Sequence, residues 1–186
     1  MLSARTVSPS AVFARRAALV LAGSGLMYLS AQIAVPASSI WGVPITLQTL
    51  AIPILVALLG RELGTLAVLA YLAEGLAGLP VLQGNVGGIV RFFGPTGGYL
   101  IGFPLAAYAI GSLYRAGFDR NFGSRFVAVF LGTGLVFVTG VLWLDVFFFH
   151  DLVKSVAAGV APFLVGDVVK CLVAAAFRPR IGDRAR

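Results

Sequence analysis

The sequence predicts an all-α integral membrane protein with six transmembrane helices, and three observations support this. Hydrophobic residues make up 59% of the 186 positions and charged residues only 11%, whereas soluble domains average roughly 25% charged residues. The apolar residues fall into long runs, and about 20 such residues span the hydrocarbon core of a bilayer. Only short loops separate the runs. We therefore expect a single transmembrane domain over residues 1–186, with short tails at about 1–11 and 179–186.

Each helix is predicted from one apolar run and from the residues that end it. Pro36 ends the first run, Gly60 ends the second, and Gly78 with Pro80 ends the third, because glycine and proline are unfavourable inside helices. The fourth run follows the sequence GPTGG. The segment DLVKSVAAGVAP, which we expect to form a short interfacial helix, separates the last two. The six predicted helices cover about 12–35, 47–59, 65–76, 97–113, 125–149 and 163–177.

The distribution of cationic residues predicts the orientation of these helices. With six spans, both termini lie on the same side as the second and the fourth connections. That side collects eleven arginines, and only Arg91, Lys154 and Lys170 lie elsewhere. Because Lys and Arg concentrate in cytoplasmic loops, we predict cytoplasmic termini. The formal net charge of +7 therefore reflects membrane topology, and we expect membrane lipid and no nucleic acid as a partner.

The connection between the third and fourth predicted helices, GLPVLQGNVGGIVRFFGPTGG, is too apolar for a solvated loop. Its many glycines make it too irregular for a spanning helix. Irregular backbone at membrane depth is tolerated only where protein or a polar cavity satisfies its hydrogen bonds. We predict a re-entrant or lid-like outer segment, and an ordinary outer loop is the alternative.

Two charged residues interrupt the sixth predicted helix. Asp167 and Lys170 lie three residues apart, so they share one face of the helix near its outer end. A charge at the bilayer centre costs about 3 kcal/mol, and ionisable groups inside a span are candidates for a functional site. Either the two groups neutralise each other, or both face a cavity and bind a polar solute.

Five further polar residues are predicted on the same outer side. Thr46 and Gln48 begin the second helix, and a buried amide needs hydrogen-bond partners. Asn85 and Arg91 lie in the irregular connection, and an arginine can bind a carboxylate through two contacts. Tyr99 begins the fourth helix and can present its ring and hydroxyl to the same space. The alternatives are a helix cap for Thr46 and membrane-interface positions for Arg91 and Tyr99.

A separate pattern on the first helix predicts contact with another protein. Ala14, Ala18 and Ala22 recur at every fourth position, and small residues at this spacing let a second helix approach closely. Packing within the chain is the alternative use of this face.

Several functional classes lack support in the sequence. There is no nucleotide-binding GxxxxGK motif, no recognisable nucleophile and base pair, and no zinc-ligand spacing around the single histidine, His150. We therefore predict that the chain is not an enzyme and holds no metal or cofactor.

Taken together, these residues resemble the BioY family, the biotin-binding membrane subunits (S-components) of energy-coupling factor (ECF) transporters. The resemblance extends over most of the chain. Its most specific parts are GPTGGYLIGF at 94–103 and GVAPFLVGDVVK at 159–170, which occur with PITLQTL at 44–50, GLPV at 78–81 and GVLWL at 140–144.

This resemblance implies a six-helix S-component fold in a bacterial inner membrane. It implies that biotin binds at the outer face and that the chain works with a transmembrane coupling protein and two cytosolic ATPases. Asp167, Lys170 and Asn85 are then expected at the ureido ring of biotin, and Arg91 at its carboxylate. Ala14, Ala18 and Ala22 are expected at the coupling protein. An S-component for another vitamin, or a stand-alone secondary transporter of a small organic anion, is the alternative.

Overall fold

The computed structural model describes residues 8–35 and 43–179, and most of these residues are helical. The helices are α1 (Pro9–Gln32), α2 (Gln48–Leu76), α3 (Gly97–Leu113), α4 (Phe122–Leu144), α5 (Leu152–Gly159) and α6 (Leu164–Ala176). Helices α3 and α4 continue into π-helical turns at Tyr114–Phe118 and Asp145–Phe149. Two short antiparallel strands, β1 (Ala34–Val35) and β2 (Ile45–Thr46), join α1 to α2.

Several of these helices are suited to cross a membrane. Within the described residues, three stretches are long and apolar enough, namely Pro9–Gln32, Gln48–Leu76 and Phe122–Phe149. Helices α5 and α6 together form a fourth candidate, which is bent by 53° at its break. These helices indicate a multi-pass membrane protein.

Two differences between the observed and the predicted helix boundaries have a structural cause. The second and third predicted helices form one element, α2, which is interrupted at Gly60, where φ is 80° and ψ is 176°. Glycine adopts such a positive φ without the steric cost that a side chain would add. Helix α1 ends at Gln32, before the predicted end at residue 35, because Ala34 and Val35 pair with β2. The predicted tails lie largely outside the described residues.

Helices α3 and α4 form the closest pair in the bundle. Gly98 makes this approach possible, because a Cβ atom at this position would lie only 2.3 Å from the Cβ of Trp143. The indole Nε1 of Trp143 donates a hydrogen bond to the carbonyl of Gly94, 3.0 Å away. The GPTGG sequence therefore packs the start of α3 against α4 and fixes the preceding chain to the same tryptophan.

The irregular connection before α3 is folded onto the end of the bundle. Leu82 and Val86 form an isolated β-bridge, and residues Ile89–Phe92 form a 3-10 turn. Gln32, at the end of α1, donates to the carbonyl of Leu82 at 3.1 Å and accepts from the backbone N–H of Asn85 at 3.2 Å. These hydrogen bonds hold the connection over the end of the bundle at which α1 finishes.

Arg125 links the beginning of α4 to the end of α6. It is only 6% exposed. Its Nε donates to the carbonyl of Ala175 at 2.7 Å and its Nη1 to the carbonyl of Asp119 at 3.1 Å. The sequence predicts this arginine on the cytoplasmic side of the membrane, and in the structure its side chain is buried and links two helices.

Replacing Arg125 with glutamine is expected to destabilise the protein. The variant leaves at least one buried carbonyl without its charged donor, and such a bond contributes about 2 kcal/mol. The midpoint of thermal unfolding in detergent should fall by roughly 4–8 °C for a chain of this size. Arg178→Gln, which removes an exposed arginine beyond the end of α6, is the matched control. Equal midpoints for the two variants would contradict this role of Arg125.

Candidate substrate-binding site

A cavity of about 450 Å³ lies at the end of the bundle that the irregular connection covers. Its wall comes from β2, α2, the connection, α3, α4 and α6, so segments far apart in the sequence meet here. The polar residues that line it are Thr46, Gln48, Thr49, Tyr71, Gln83, Arg91, Thr96, Tyr99 and Lys170. Its volume falls within the range of small-molecule sites.

Lys170 projects from α6 to the start of α2. Its Nζ donates to the backbone carbonyl of Thr46 at 2.6 Å and to the hydroxyl of Thr49 at 3.1 Å. An ammonium group has three donors. The third N–H of Lys170 is therefore available for a molecule in the cavity that this side chain lines.

A chain of side-chain hydrogen bonds orients the polar wall next to Lys170. The hydroxyl of Thr46 donates to Oε1 of Gln48 at 3.0 Å, and Nε2 of Gln48 donates to the hydroxyl of Tyr71 at 3.0 Å. Gln48 and Tyr71 are buried, with 5% and 0% exposure. The amide predicted at position 48 thus has partners on both sides, and its orientation is fixed before any ligand binds.

Asp167 lies on the same face of α6, one turn from Lys170. It is 5% exposed, and its Oδ2 accepts a long hydrogen bond from the thiol of Cys171, with 3.7 Å between the sulfur and oxygen atoms. Its Oδ1 is buried and has no hydrogen-bond partner among the residues that the structure describes. Phe163, one turn before Asp167, and Lys170, one turn after it, line the cavity, but Asp167 itself does not belong to the cavity wall.

Asp167 and Lys170 do not neutralise each other through direct contact. Among the described residues, ion pairs within 4.0 Å join Arg61 and Arg115 to Glu62, and Lys154 to Asp151. The Asp167–Lys170 pair does not reach that distance. Lys170 therefore keeps a donor for a molecule in the cavity, and Asp167 keeps a buried acceptor oxygen one turn away on the same helix, outside the cavity wall.

Arg91 and Tyr99 line the cavity from the side of the connection and α3. Arg91 is exposed and has no acidic partner within 4.0 Å among the described residues. The Tyr99 hydroxyl donates to the carbonyl of Gly159 at 2.9 Å, so this residue offers its ring to the cavity. That ring packs against Phe163 and Phe137, at centroid distances of 6.3 Å and 6.4 Å.

The structure separates Asn85 from the other predicted site residues. Its Oδ1 accepts a hydrogen bond from the Tyr28 hydroxyl at 3.1 Å, and it does not belong to the cavity wall. Its backbone has a positive φ of 55°, which asparagine tolerates better than most residues. In this conformation Asn85 helps to hold the connection against α1.

Sequence reasoning missed several residues of the wall, among them Tyr71 and Phe163. Tyr71 lies in an apolar run of α2, and only the fold shows that it faces Gln48. Phe163 begins the motif that contains Asp167, but an aromatic residue before a membrane helix is common at the interface. No sequence signal distinguishes these two residues from ordinary core or interface positions.

The predicted partner surface on α1 is exposed in the described part of the chain. Ala14, Ala18 and Ala22 are all exposed, whereas Met27 and Ala31 on another face of the same helix are completely buried. A second helix therefore has room to approach the alanine face.

Comparison with known proteins identifies the family. A sequence model of the BioY family matches residues 3–186. The biotin transporter BioY of Thermotoga maritima is 37% identical over 165 residues, which cover 88% of this chain and 94% of that protein. The probable biotin transporter BioY of Pyrococcus horikoshii is 36% identical over 168 residues, which cover 90% and 96%.

A solved structure agrees with the sequence comparisons. The crystal structure of the S-component for biotin from an ECF-type ABC transporter superposes with a TM-score of 0.81 at 27% identity, covering 95% of this chain and 94% of that one. The relatives are transporters by name, and the agreement extends over nearly the whole length of both chains. This chain belongs to the BioY family.

Proposed function

We propose that this chain captures biotin at the outer face of the membrane and serves as the S-component of an ECF-type transporter. The observation that carries the proposal is the wall of the cavity beside α6. There Lys170 has an unused N–H donor, and Asp167, which is one turn away on α6 and outside the wall itself, has a buried oxygen acceptor without a partner among the described residues. The names of the relatives and of the solved structure supply the ligand.

The chemistry of biotin suits these two groups. Its ureido ring has two N–H donors and one carbonyl acceptor. Oδ1 of Asp167 can accept from an N–H, and Nζ of Lys170 can donate to the carbonyl. Hydrogen bonds to charged groups are stronger than those between neutral groups. We infer that Lys170 and Asp167 of α6 recognise the ureido ring of biotin.

The rest of the cavity suits the rest of the molecule. The apolar bicyclic ring can pack on Tyr99, Phe137 and Phe163, which lie together in the wall. The valerate carboxylate requires a cation, and Arg91 lines the same cavity. Thr46 and Gln48 hold Lys170 in position. Asn85 contacts the ureido ring only if the connection moves when biotin binds.

We also infer the topology and the partners. Six spans result when the two parts of α2 count separately on either side of Gly60, when α3 counts as a span, and when α5 and α6 count as one. The arginine distribution then supports cytoplasmic termini, and the irregular connection lies over the outer site as a re-entrant or lid-like segment. The exposed face of Ala14, Ala18 and Ala22 suits a transmembrane coupling protein, with two cytosolic ATPases supplying energy.

Equilibrium binding of biotin to the purified full chain tests the proposed function. Titration calorimetry in detergent should give saturable one-site binding. Thiamine and riboflavin, tested at the same concentrations, should give no comparable signal. If a well-folded sample bound no biotin, or bound another vitamin more tightly, the proposal would be wrong.

Arg91 gives a test of the carboxylate assignment. Arg91→Gln is expected to weaken binding of biotin about tenfold or more, because a charge-assisted contact contributes roughly 1.5–3 kcal/mol. Binding of biotinamide, which has a neutral amide in place of the carboxylate, should change much less. An equal loss for the two ligands would show that Arg91 acts on the fold or on another part of biotin.

A further inference from the structure

The two halves of α1 differ in how they pack. The half that ends at Gln32 lies close to α2, and a Cβ atom on Gly23 would be only 2.6 Å from the Cβ of Ala67. The residues before Gly23 are exposed or half-buried. A groove of about 2690 Å³ separates this first half of α1 from α2 and from the end of α3. We call it the α1 groove.

The walls of the α1 groove are mostly apolar. Phe13 is 75% exposed, and Leu66 and Leu69 are 49% and 44% exposed, and all three line the groove. From Arg61 to Ala73, which both line it, helix α2 rises about 18 Å at 1.5 Å per residue. One leaflet contributes about half of the roughly 30 Å hydrocarbon core. The groove is therefore about as long as one leaflet is thick.

The charges in the α1 groove are unbalanced. Five arginines line it together with two acidic residues, Glu62 and Asp119. Glu62 is bound by Arg61 at 3.1 Å and by Arg115. The three remaining arginines are exposed and have no acidic partner within 4.0 Å among the described residues: Arg15, Arg16 and Arg120. The groove therefore has an excess of positive charge beside its apolar walls.

We propose that the α1 groove binds an anionic phospholipid. Its acyl chains would lie along Leu66 and Leu69, and its phosphate would bind the unpaired arginines, since a guanidinium matches the geometry of a phosphate. Basic pockets between transmembrane helices are known to suit anionic headgroups. A groove at membrane depth must be filled, and an acyl chain fills it without any unpaired polar group.

The positions of the alanines favour a lipid over the coupling protein as the occupant. Ala14, Ala18 and Ala22 are not part of the groove wall, and at 3.6 residues per turn their face borders the edge of the wall that Ala11 and Arg15 form. A coupling protein on the alanine face and a lipid in the groove would thus contact different residues of the helix, on adjacent faces. The lipid proposal does not depend on biotin binding.

Native mass spectrometry of the full chain tests this proposal. The chain is released from nanodiscs that contain equal amounts of phosphatidylglycerol and phosphatidylcholine with identical acyl chains, and the lipids that remain bound are counted. We expect phosphatidylglycerol to be retained preferentially. Arg16→Gln should lower its retention about fivefold, in line with roughly 1 kcal/mol per cationic residue. Ala17→Phe, which fills the groove without changing charge, should lower the retention of both lipids.

The matched control is Arg178→Gln, which removes an arginine that does not line the groove and should leave retention unchanged. Equal retention of the two lipids, or an equal loss in Arg16→Gln and Arg178→Gln, would overturn the proposal. Unchanged lipid retention in Ala17→Phe would also overturn the proposal, as would a dimer of the chain that carries no lipid. Arg16 is exposed and Ala17 is half-buried, so we expect both variants to fold.

Discussion

Lys170→Met is expected to reduce the affinity for biotin roughly 10- to 150-fold, because a hydrogen bond to a charged group contributes about 1.5–3 kcal/mol. In the structure two of the three donors of Nζ bind Thr46 and Thr49. The remaining donor is the one that we assign to the ureido carbonyl. Methionine keeps the length and the apolar part of the side chain and removes all three donors. Titration calorimetry with purified protein measures the change.

Two controls separate ligand contact from loss of structure in the Lys170 variant. Lys154→Met makes the same substitution at a lysine that is 72% exposed and outside the cavity, so its affinity for biotin should not change. The second control is 2-iminobiotin, which has an imine in place of the ureido carbonyl. Wild-type protein should discriminate against it, and Lys170→Met should discriminate much less. If the discrimination were unchanged, Lys170 would not contact the carbonyl.

Much of the architecture was predictable from composition and pattern. The apolar runs predicted a multi-pass helical membrane protein because the bilayer sets the length of each span. The break in α2 and the close approach of α3 to α4 both occur at glycines, Gly60 and Gly98. Gly60 can produce either a loop between two spans or a kink within one span. The angle between the two parts of α2 decides which of these forms. That angle is determined by tertiary packing and not by the local sequence.

The candidate site was predictable only for residues that are unusual in a membrane helix. Lys170 and Gln48 stand out because polar groups at that depth need partners, and the structure gives each of them two hydrogen bonds. The direction of the Tyr99 hydroxyl depends on Gly159, which is 60 residues away in the chain. The role of Tyr71 likewise depends on a contact with Gln48, 23 residues away. Such pairings are a result of the fold.

The choice between an Asp167–Lys170 pair and a ligand site has a physical consequence that can be measured. If Asp167 were present to balance Lys170, its removal would destabilise the ligand-free protein, because breaking a buried pair leaves an uncompensated charge. In the structure the two groups are not within ion-pair distance, and Oδ1 of Asp167 has no partner. This oxygen then represents a cost to the ligand-free state that ligand binding can offset.

Asp167→Asn is therefore expected to have opposite effects on stability and on binding. The midpoint of thermal unfolding without ligand should stay the same or rise, since a buried carboxylate oxygen without a partner is replaced by a neutral amide. The affinity for biotin should fall roughly 10- to 100-fold, because a charge-assisted acceptor for a ureido N–H is lost. Calorimetry and unfolding in the presence and absence of biotin measure both effects on the same sample.

The matched control is Asp151→Asn, because Asp151 lies outside the cavity and caps α5 by accepting from the backbone N–H of Lys154 at 3.1 Å. That hydrogen bond, and the side chain of Lys154, hold the pKa of Asp151 below its usual value. Asp151→Asn should leave biotin affinity unchanged. A lower unfolding midpoint in ligand-free Asp167→Asn, together with unchanged affinity, would show that Asp167 has a structural role. A loss of affinity without a loss of stability is the result that a ligand-binding carboxylate requires, because its partner is present only when biotin is bound.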